Sequence, residues 1–380
     1  MAFNFRLDRG WHIIFLTWRL TVKEVKALSV LDDVITYSNY DPTALGRRLW
    51  SFPEQCDRAW KQVLNFKLPS DYREVDRVML LGMGGSGIGG DLLADLASLE
   101  DSLPIEVYKD YDVPSHVSKH TLIIAASYSG NTTETISGFR RAVNRDSKIV
   151  AITSGGLLAK EAETARVPLF YVDYQGEARS ALGYSFLVPL GILVNLGFLA
   201  DKTVELEKAV VALSALIEGC VGQQIPAKNN RAKQLSAALH GKFPIIYGGG
   251  YFQGVARRWK TQFNENSKVW AQCEVLPEAH HNSVVGYALP KVMKDLVSIL
   301  LLRPEPLHPS VALRYEVTKE LLENKEIDFH SVDGEGDNPL SQMLTTILLG
   351  DYTSYYLALL QGVDPSPVPS IDFIKDRLMG

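Results

Sequence analysis

The chain has 380 residues, of which 46% are hydrophobic and 22% are charged, and its formal net charge is −5 at pH 7. This length predicts two domains of ordinary size, and the slight acidity argues against a surface that follows a nucleic acid backbone. The three cysteines, Cys56, Cys220 and Cys273, lie far apart and form no CxxC pair. The sequence therefore indicates neither a structural zinc site nor a disulfide framework, and a reducing cytoplasm is the expected location.

The first apolar segment lies at residues 11–18 (WHIIFLTW). A secretory signal requires a longer apolar stretch and small residues at a cleavage site, whereas basic residues follow here. We therefore interpret residues 1–25 as a poorly ordered leader. A helix is expected to begin the folded part of the chain at residues 25–34.

From Val75 onward, short β-branched runs alternate with glycine turns and helix-length segments. The runs predict five strands, at residues 77–81, 104–108, 121–126, 148–153 and 168–172. Strands that are apolar throughout and separated by helices form a parallel sheet with both faces covered. Residues 26–218 are therefore expected to form one doubly wound α/β domain, an α-β-α sandwich with additional N-terminal helices.

Residues 181–200 (ALGYSFLVPLGILVNLGFLA) carry no charge over a length that would span a membrane. Pro189, Asn195 and several hydroxyls weaken that interpretation, and no basic cluster marks a cytoplasmic side. A helix that is apolar all round is also typical of one buried between domains or subunits. We favour the buried helix.

The second half of the chain repeats the alternation after a linker at residues 219–226. Its strands are predicted at residues 243–247, 269–275, 296–302 and 327–332. The two halves also begin alike, because RVMLLGMGGSGIGG and FPIIYGGGYFQGVA each combine a strand, a glycine cluster and the start of a helix. Residues 227–380 are therefore expected to form a second, divergent copy of the first domain, with a helical segment at its C-terminal end.

The glycine-rich loop at residues 82–90 (GMGGSGIGG) follows the first strand. Gly82, Gly84 and Gly87 have the GxGxxG spacing of dinucleotide-binding loops, and Asp110 follows at a distance suited to a ribose contact. The loop lacks the Gly-Lys-Ser/Thr ending of a nucleotide-hydrolysing P-loop. From this loop alone, a dinucleotide site and a phosphate site both remain open.

A second loop, at residues 127–135 (SYSGNTTET), follows the third strand and carries a cluster of hydroxyls. Hydroxyls and N–H groups at a helix start can surround one terminal phosphate without a fixed positive charge. The alternative is a capped helix with Ser129 or Asn131 as N-cap and Glu134 completing a capping box. Capping accounts for one or two hydroxyls, so the cluster favours a monophosphate.

Four motifs, in this order, carry a resemblance to a known family: GMGGSGIGGD at 82–91, SYSGNTTET at 127–135, NENSK at 264–268 and EAHHN at 278–282. They resemble the bifunctional phosphoglucose/phosphomannose isomerase family, which consists of two sugar-isomerase (SIS) domains. The resemblance extends from about Lys26 to the C-terminus. It implies reversible conversion of glucose 6-phosphate, and of mannose 6-phosphate, to fructose 6-phosphate through an enediolate, as in glycolysis and gluconeogenesis.

We also expect a particular location, cofactor requirement and set of partners for this enzyme. The expected enzyme is cytoplasmic, acts on sugar 6-phosphates, and uses no cofactor and no metal. It is expected to be a homodimer whose active site is shared between subunits, with neither nucleic acid nor membrane as a partner.

Individual roles follow from the same resemblance. The residues that match the phosphate-binding set are Gly85, Ser86, Ser127, Ser129 and Thr132. Arg179, in the GEARS segment, matches the residue that steadies the enediolate, and Glu265 matches the base that moves the proton. His281 matches the histidine that assists ring opening from the partner subunit, and it is preferred to His280 because Asn282 follows it.

Two positions near the C-terminus complete the resemblance. Lys375 matches a lysine that contacts the ring oxygen or a nearby hydroxyl of the sugar. Ser366 stands where a threonine is usual in the family.

The chemistry of an aldose–ketose exchange suits these residue types. A carboxylate above the enediolate plane can take a proton from C2 and return it to C1, and an arginine stabilises the anion without losing its charge. Histidine exchanges a proton near neutral pH, as ring opening requires. Two alternatives remain: a SIS module that binds a phosphosugar without transforming it, and a dinucleotide-dependent oxidoreductase.

Overall fold

The computed structural model describes residues 22–379, so residues 1–21 of the predicted leader lie outside the described part of the chain. Four N-terminal helices come first: α1 (Val22–Asp32), α2 (Val34–Tyr40), α3 (Leu45–Trp50) and α4 (Phe52–Leu64). The helix predicted at 25–34 is confirmed, but it ends at Asp32. The carboxylate of Asp33 accepts the N–H of Ile35 at 2.9 Å and starts α2 in a new direction.

The first sheet has five parallel strands: β1 (Arg77–Leu81), β2 (Ile105–Tyr108), β3 (Thr121–Ala126), β4 (Lys148–Thr153) and β5 (Leu169–Tyr171). Their order is β2-β1-β3-β4-β5. The helices of this half are α5 (Gly84–Ala97), α6 (Thr133–Val143), α7 (Gly156–Thr164), α8 (Leu182–Leu196) and α9 (Thr203–Leu216). The strand order reverses between β1 and β3, which places a ligand crevice beyond their carboxyl ends.

The second sheet has four parallel strands: β6 (Phe243–Gly249), β7 (Gln272–Leu276), β8 (Val297–Arg303) and β9 (Asp328–Asp333). Its order, β7-β6-β8-β9, repeats that of the first four strands of the other sheet. The remaining helices are α10 (Arg231–Leu239), α11 (Gln253–Glu265), α12 (Met293–Leu296), α13 (Pro309–Asn324), α14 (Pro339–Leu360) and α15 (Pro369–Met379). The predicted fold, two doubly wound α/β units with parallel sheets flanked by helices, is confirmed.

The strand predictions agree with the structure to within two or three residues at each end. The largest error is at β7, which begins at Gln272 instead of residue 269. The preceding residues still belong to the end of α11: Lys268 has a left-handed φ of 58°, and the N–H of Val269 bonds to the carbonyl of Phe263 at 3.1 Å.

One continuous hydrophobic core joins the two halves. The apolar helix α8 is buried against α4 and α5, as predicted for residues 181–200. Helix α14 buries its side chains on every face from Leu340 to Leu359 and packs on α9, α10 and α11. Both helices belong to the same cluster of buried residues. Within residues 22–379, no helix has the length and apolar character needed to cross a membrane.

Candidate active site

The predicted glycine loop at residues 82–90 is mostly helical, because α5 begins at Gly84, and this segment approaches the GEARS segment at the carboxyl end of β1. A Cβ atom on Gly85 would lie 2.7 Å from the carbonyl carbon of Ala178, so any larger residue would push this segment away. Ser86 is buried, and its Oγ accepts the N–H of Tyr128 at 3.1 Å. These contacts bring the glycine loop, the hydroxyl loop and the segment that carries Arg179 to one place.

The hydroxyl loop leads from β3 into α6. Ser127 is 1% exposed, and its Oγ lies 2.9 Å from Oγ1 of Thr132. Ser129 is exposed on the same loop, where its Oγ accepts the N–H of Asn131 at 3.3 Å. The hydroxyls thus surround the N-terminus of α6, where unpaired N–H groups favour an anion.

The capping-box interpretation of this loop is wrong. The N-cap of α6 is Thr132, and its side chain makes no capping bond. The side chain of Asn131 accepts the N–H of Leu157 at 3.1 Å, and the carboxylate of Glu134 accepts a hydrogen bond from the hydroxyl of its neighbour Thr133 at 3.2 Å. The N-cap side chain therefore leaves the first N–H groups of α6 available for a ligand.

Asp110, the residue suited to a ribose contact, follows β2 and is exposed. Its carboxylate accepts the N–H of Tyr111 at 2.7 Å and so stabilises its own turn. No contact joins it to the glycine loop in the described part of the chain.

Arg179 is 4% exposed and connects the first half of the chain to the second. Its Nε donates to Oδ1 of Asn266 at 2.7 Å, and its Nη2 donates to the carbonyls of Pro365 at 2.8 Å and Ser366 at 2.7 Å. Its Nη1 lies 3.7 Å from Oε2 of Glu265. Burial lowers the pKa of Arg179 while Glu265 raises it, and an arginine at such a site keeps its charge.

Glu265 is the last residue of α11, and its side chain is 23% exposed. Arg179 is the only ionic partner of this carboxylate among residues 22–379. A buried ion pair between Arg258 and Asp351, at 2.8 Å, lies behind the site, and Arg258 also donates to the carbonyl of Arg179 at 2.8 Å. The base candidate and the cation are therefore held by two elements of the rigid core.

Lys268 lies beside Arg179 and Glu265, and no role was assigned to it from the sequence, although it belongs to the NENSK motif. Its Nζ donates to the carbonyl of Glu265 at 2.5 Å and to that of Pro365 at 3.2 Å. Burial, with the nearby positive charge of Arg179, lowers the pKa of Lys268 to about 8. The motif indicated this position, but only the fold shows that Lys268 and Arg179 bind the same carbonyl.

The two adjacent histidines have different surroundings. His280 is half-buried, with Nε2 2.8 Å from Oγ1 of Thr318 and Nδ1 3.1 Å from Nη1 of Arg314; burial, together with Arg314, lowers the pKa of His280. His281 is exposed on the turn Glu278–His281 and has no hydrogen bond or ion pair within the described part of the chain. Of the two, His281 is the one whose ring is accessible to another molecule.

The structure thus links some of the sequence-predicted residues. Gly85 lies against Ala178, next to Arg179, Ser86 bonds to the hydroxyl loop, and Arg179 pairs with Glu265. In the described part of the chain, no hydrogen bond or ion pair joins His281 or Lys375 to Arg179 or Glu265. Lys375 lies on α15, whose side chains from residue 369 to 378 are exposed. No group of three or more His, Cys, Asp or Glu side chains suited to a metal ion occurs among residues 22–379.

Comparison with known proteins finds two regions of this chain that match family models. Residues 71–179 match the family model of the SIS domain, and residues 228–378 match the bacterial phospho-glucose isomerase C-terminal SIS domain. A bifunctional phosphoglucose/phosphomannose isomerase of Caldicellulosiruptor bescii is 38% identical over 87% of this chain and 97% of its own length. One of Aquifex aeolicus is 35% identical over 79% of this chain and 90% of its own.

A solved structure of a Thermus thermophilus protein described as hypothetical has the same fold. It aligns with a TM-score of 0.67 and 18% identity, covering 94% of this chain and 95% of that one.

Proposed function

This chain belongs to the bifunctional phosphoglucose/phosphomannose isomerase family and is an aldose–ketose isomerase of sugar 6-phosphates; we propose here which of its residues carry out the reaction. Glucose 6-phosphate and mannose 6-phosphate differ only at C2, so both give fructose 6-phosphate through one planar enediolate. The observation that carries the proposal is a series of contacts. The N–H of Tyr128, in the hydroxyl loop, bonds to Ser86, the adjacent Gly85 lies against Ala178, and Arg179 pairs with Glu265.

The phosphate is held where β1 and β3 end. The hydroxyls come from Ser86, Ser127, Ser129 and Thr132, and Gly85 allows a close approach of the backbone. The N-terminus of α6 supplies N–H groups. Ser127 and Thr132 bond to each other at 2.9 Å, and both hydroxyls can rotate toward an oxyanion. This site holds one end of an open-chain hexose.

Glu265 then acts on the other end of the sugar. Its carboxylate takes the proton from C2 of the aldose and returns it to C1, which needs one group on one face of the enediolate. Arg179 stabilises the negative charge that develops on the oxygens, since burial has already removed most of its water. The side chain of Glu265 is 23% exposed, so its carboxylate is accessible to a substrate although it lies beside Arg179.

We also propose a cytoplasmic homodimer in which His281 opens the sugar ring in the partner's site. Support comes from the exposed ring of His281 and from exposed apolar side chains near it, Val285, Leu289 and Val292. Helix α15 likewise exposes Phe373, Ile374 and Leu378 beside Lys375. Apolar surface of this extent is typical of subunit interfaces, and docking of α15 would bring Lys375 to a site.

Glu265→Gln tests the base assignment. We expect kcat for both aldose phosphates to fall by about 10² to 10⁴, because the amide cannot accept the proton, while a substrate analogue still binds. A coupled assay with each aldose phosphate, with and without chelator, measures this, and Glu323→Gln on the exposed face of α13 is the matched control. A near-normal rate for Glu265→Gln would contradict the assignment.

Mixing His281→Ala with Glu265→Gln tests the shared site in the same assay. A mixed dimer has one site with both defects and one with neither, so part of the activity should return. Recovery of none would favour a site complete within one chain.

A further inference from the structure

Two residues of the N-terminal region, Thr43 and Arg48, contact the segments that hold Arg179, although they lie outside both residue ranges matched by the family models. Thr43, before α3, donates from Oγ1 to Oγ of Ser366 at 2.5 Å. Arg48, on α3, donates from Nη2 to the same oxygen at 3.3 Å and to Oε1 of Glu177 at 2.7 Å. Arg48 also bonds to the carbonyl of Thr43, which fixes the two donors relative to each other.

The oxygen of the Ser366 hydroxyl is fully used as an acceptor. It accepts hydrogen bonds from Thr43 and Arg48, which use both of its lone pairs. Against the effect of burial, the backbone N–H of Glu177 and the charge of Arg48 lower the pKa of Glu177. An oxygen that already accepts two bonds cannot accept a third from a sugar hydroxyl.

These contacts act on both segments that hold Arg179. Glu177 precedes Arg179 by two residues in the GEARS turn, and Nη2 of Arg179 donates to the carbonyls of Pro365 and Ser366. Resting on the function proposed above, we propose that Thr43 and Arg48 are positioning residues. They hold the GEARS turn and the Pro365–Ser366 turn together, so that the guanidinium of Arg179 faces Glu265.

Helix α3 is anchored independently of Arg48. The carboxylate of Asp41 accepts the N–H groups of Leu45 at 2.7 Å and Gly46 at 2.9 Å, and it accepts the hydroxyl of Tyr355, on α14, at 2.9 Å. Removing the Arg48 side chain therefore leaves the start of α3 attached to the core. This separation allows the positioning role to be tested apart from folding.

The test compares Arg48→Ala with Arg47→Ala, which changes the exposed neighbour on the same helix. We expect Arg48→Ala to lower kcat for both aldose phosphates at least tenfold with KM changed less than threefold, because the phosphate site is elsewhere. Added guanidinium should restore part of that kcat, and should restore none in Glu265→Gln. Thr43→Val should lower kcat about threefold, and Ser366→Ala should do the same without changing the ratio of glucose to mannose activity.

Several results would overturn the inference. Arg48→Ala as active as Arg47→Ala would do so, as would a loss that appears only in the melting temperature while kcat per folded molecule is unchanged. If Arg48→Ala does not fold, Thr43→Val decides, and wild-type kcat in that variant overturns the proposal. A wild-type protein that is inactive on both sugars would contradict the proposed function. An active wild-type protein with an equally active Arg48→Ala variant would contradict only the positioning role, so the two failures are distinguishable.

Discussion

The loops after β3 and β8 occupy equivalent places in the two sheets, yet they are built from different types of residue. After β3, small hydroxyl residues surround the start of α6. After β8, the chain reads Pro304, Glu305, Pro306 and Leu307, and no hydroxyl is present before α13 begins. One topology therefore supplies a crevice lined by hydroxyls in the first half and a closed corner in the second.

The corner after β8 is closed by side chains from its own half. Gln342 bonds to the backbone N–H of Glu305 at 2.9 Å and to its carbonyl at 2.7 Å, and the hydroxyl of Tyr251 also reaches that carbonyl at 2.8 Å. Leu307 covers Gly250, where an added Cβ would lie 2.7 Å from a Leu307 methyl. Fold alone does not make a phosphate site; the loop must keep its donors free.

The largest difference between the two loops is expected in how strongly their substitution changes KM for the substrate. Ser127→Ala combined with Thr132→Ala removes two hydrogen bonds to a charged group, each worth about 1.5 to 3 kcal/mol, so KM for sugar phosphates should rise about a hundredfold or more. Steady-state kinetics measures this. An equal loss of activity toward free glucose would contradict phosphate recognition at this loop.

The contact between the two halves at Asp95 should make the free energy of unfolding depend on pH. Asp95 on α5 accepts the N–H of Gly254 on α11 at 2.5 Å, and burial raises the pKa of Asp95 to about 7. The folded state therefore holds this proton more tightly than the unfolded state. Its contribution to stability is complete below about pH 4 and is lost as the pH rises to about 7, by up to about 4 kcal/mol.

Asp95→Asn removes this dependence, because the amide does not titrate. The difference in free energy of unfolding between wild type and variant, measured by denaturant titration at several pH values, should change between pH 4 and pH 7. Asp101→Asn, exposed after α5, is the matched control for loss of a carboxylate outside the contact between the two halves. A difference for Asp95→Asn that stays constant from pH 4 to pH 7 would show that folding does not raise the pKa of Asp95.

The smallest effect is expected from a substitution in the loop after β8. His308 is the N-cap of α13, where its Nδ1 accepts the N–H of Ser310 at 3.2 Å. His308→Ala should lower the free energy of unfolding by about 1 kcal/mol or less and leave KM for both sugars unchanged. A rise in KM like that of the Ser127/Thr132 variant would mean that the second loop also binds substrate.

The sequence was sufficient for the parts of the fold that depend on local pattern. The β-branched runs predicted every strand of both sheets, and the similar openings of the two halves predicted that their sheets repeat. The capping box failed because Asn131 bonds to Leu157, in α7, a contact that local spacing cannot reveal. The start of β7 was misplaced because the left-handed Lys268 extends the end of α11.

Contacts at the site itself were harder to predict. Thr43 and Ser366 are 323 residues apart in sequence, and no motif connects the helix that carries Arg48 to the GEARS turn. The resemblance supplied residue types for the reaction, but the positioning contacts depend on how the N-terminal helices pack on both halves. Such contacts follow from tertiary packing, which leaves no periodic trace in the chain.

Helix α14 also constrains how the protein is made. It is synthesised near the end of the chain, yet it covers apolar surfaces of α3 and α9, which leave the ribosome much earlier. Those surfaces must wait, exposed, until Leu360 has been added, so the first half is not a separate folding unit during translation. We expect nascent chains that stop before residue 339 to be held by chaperones or degraded, even though their own sheet is complete.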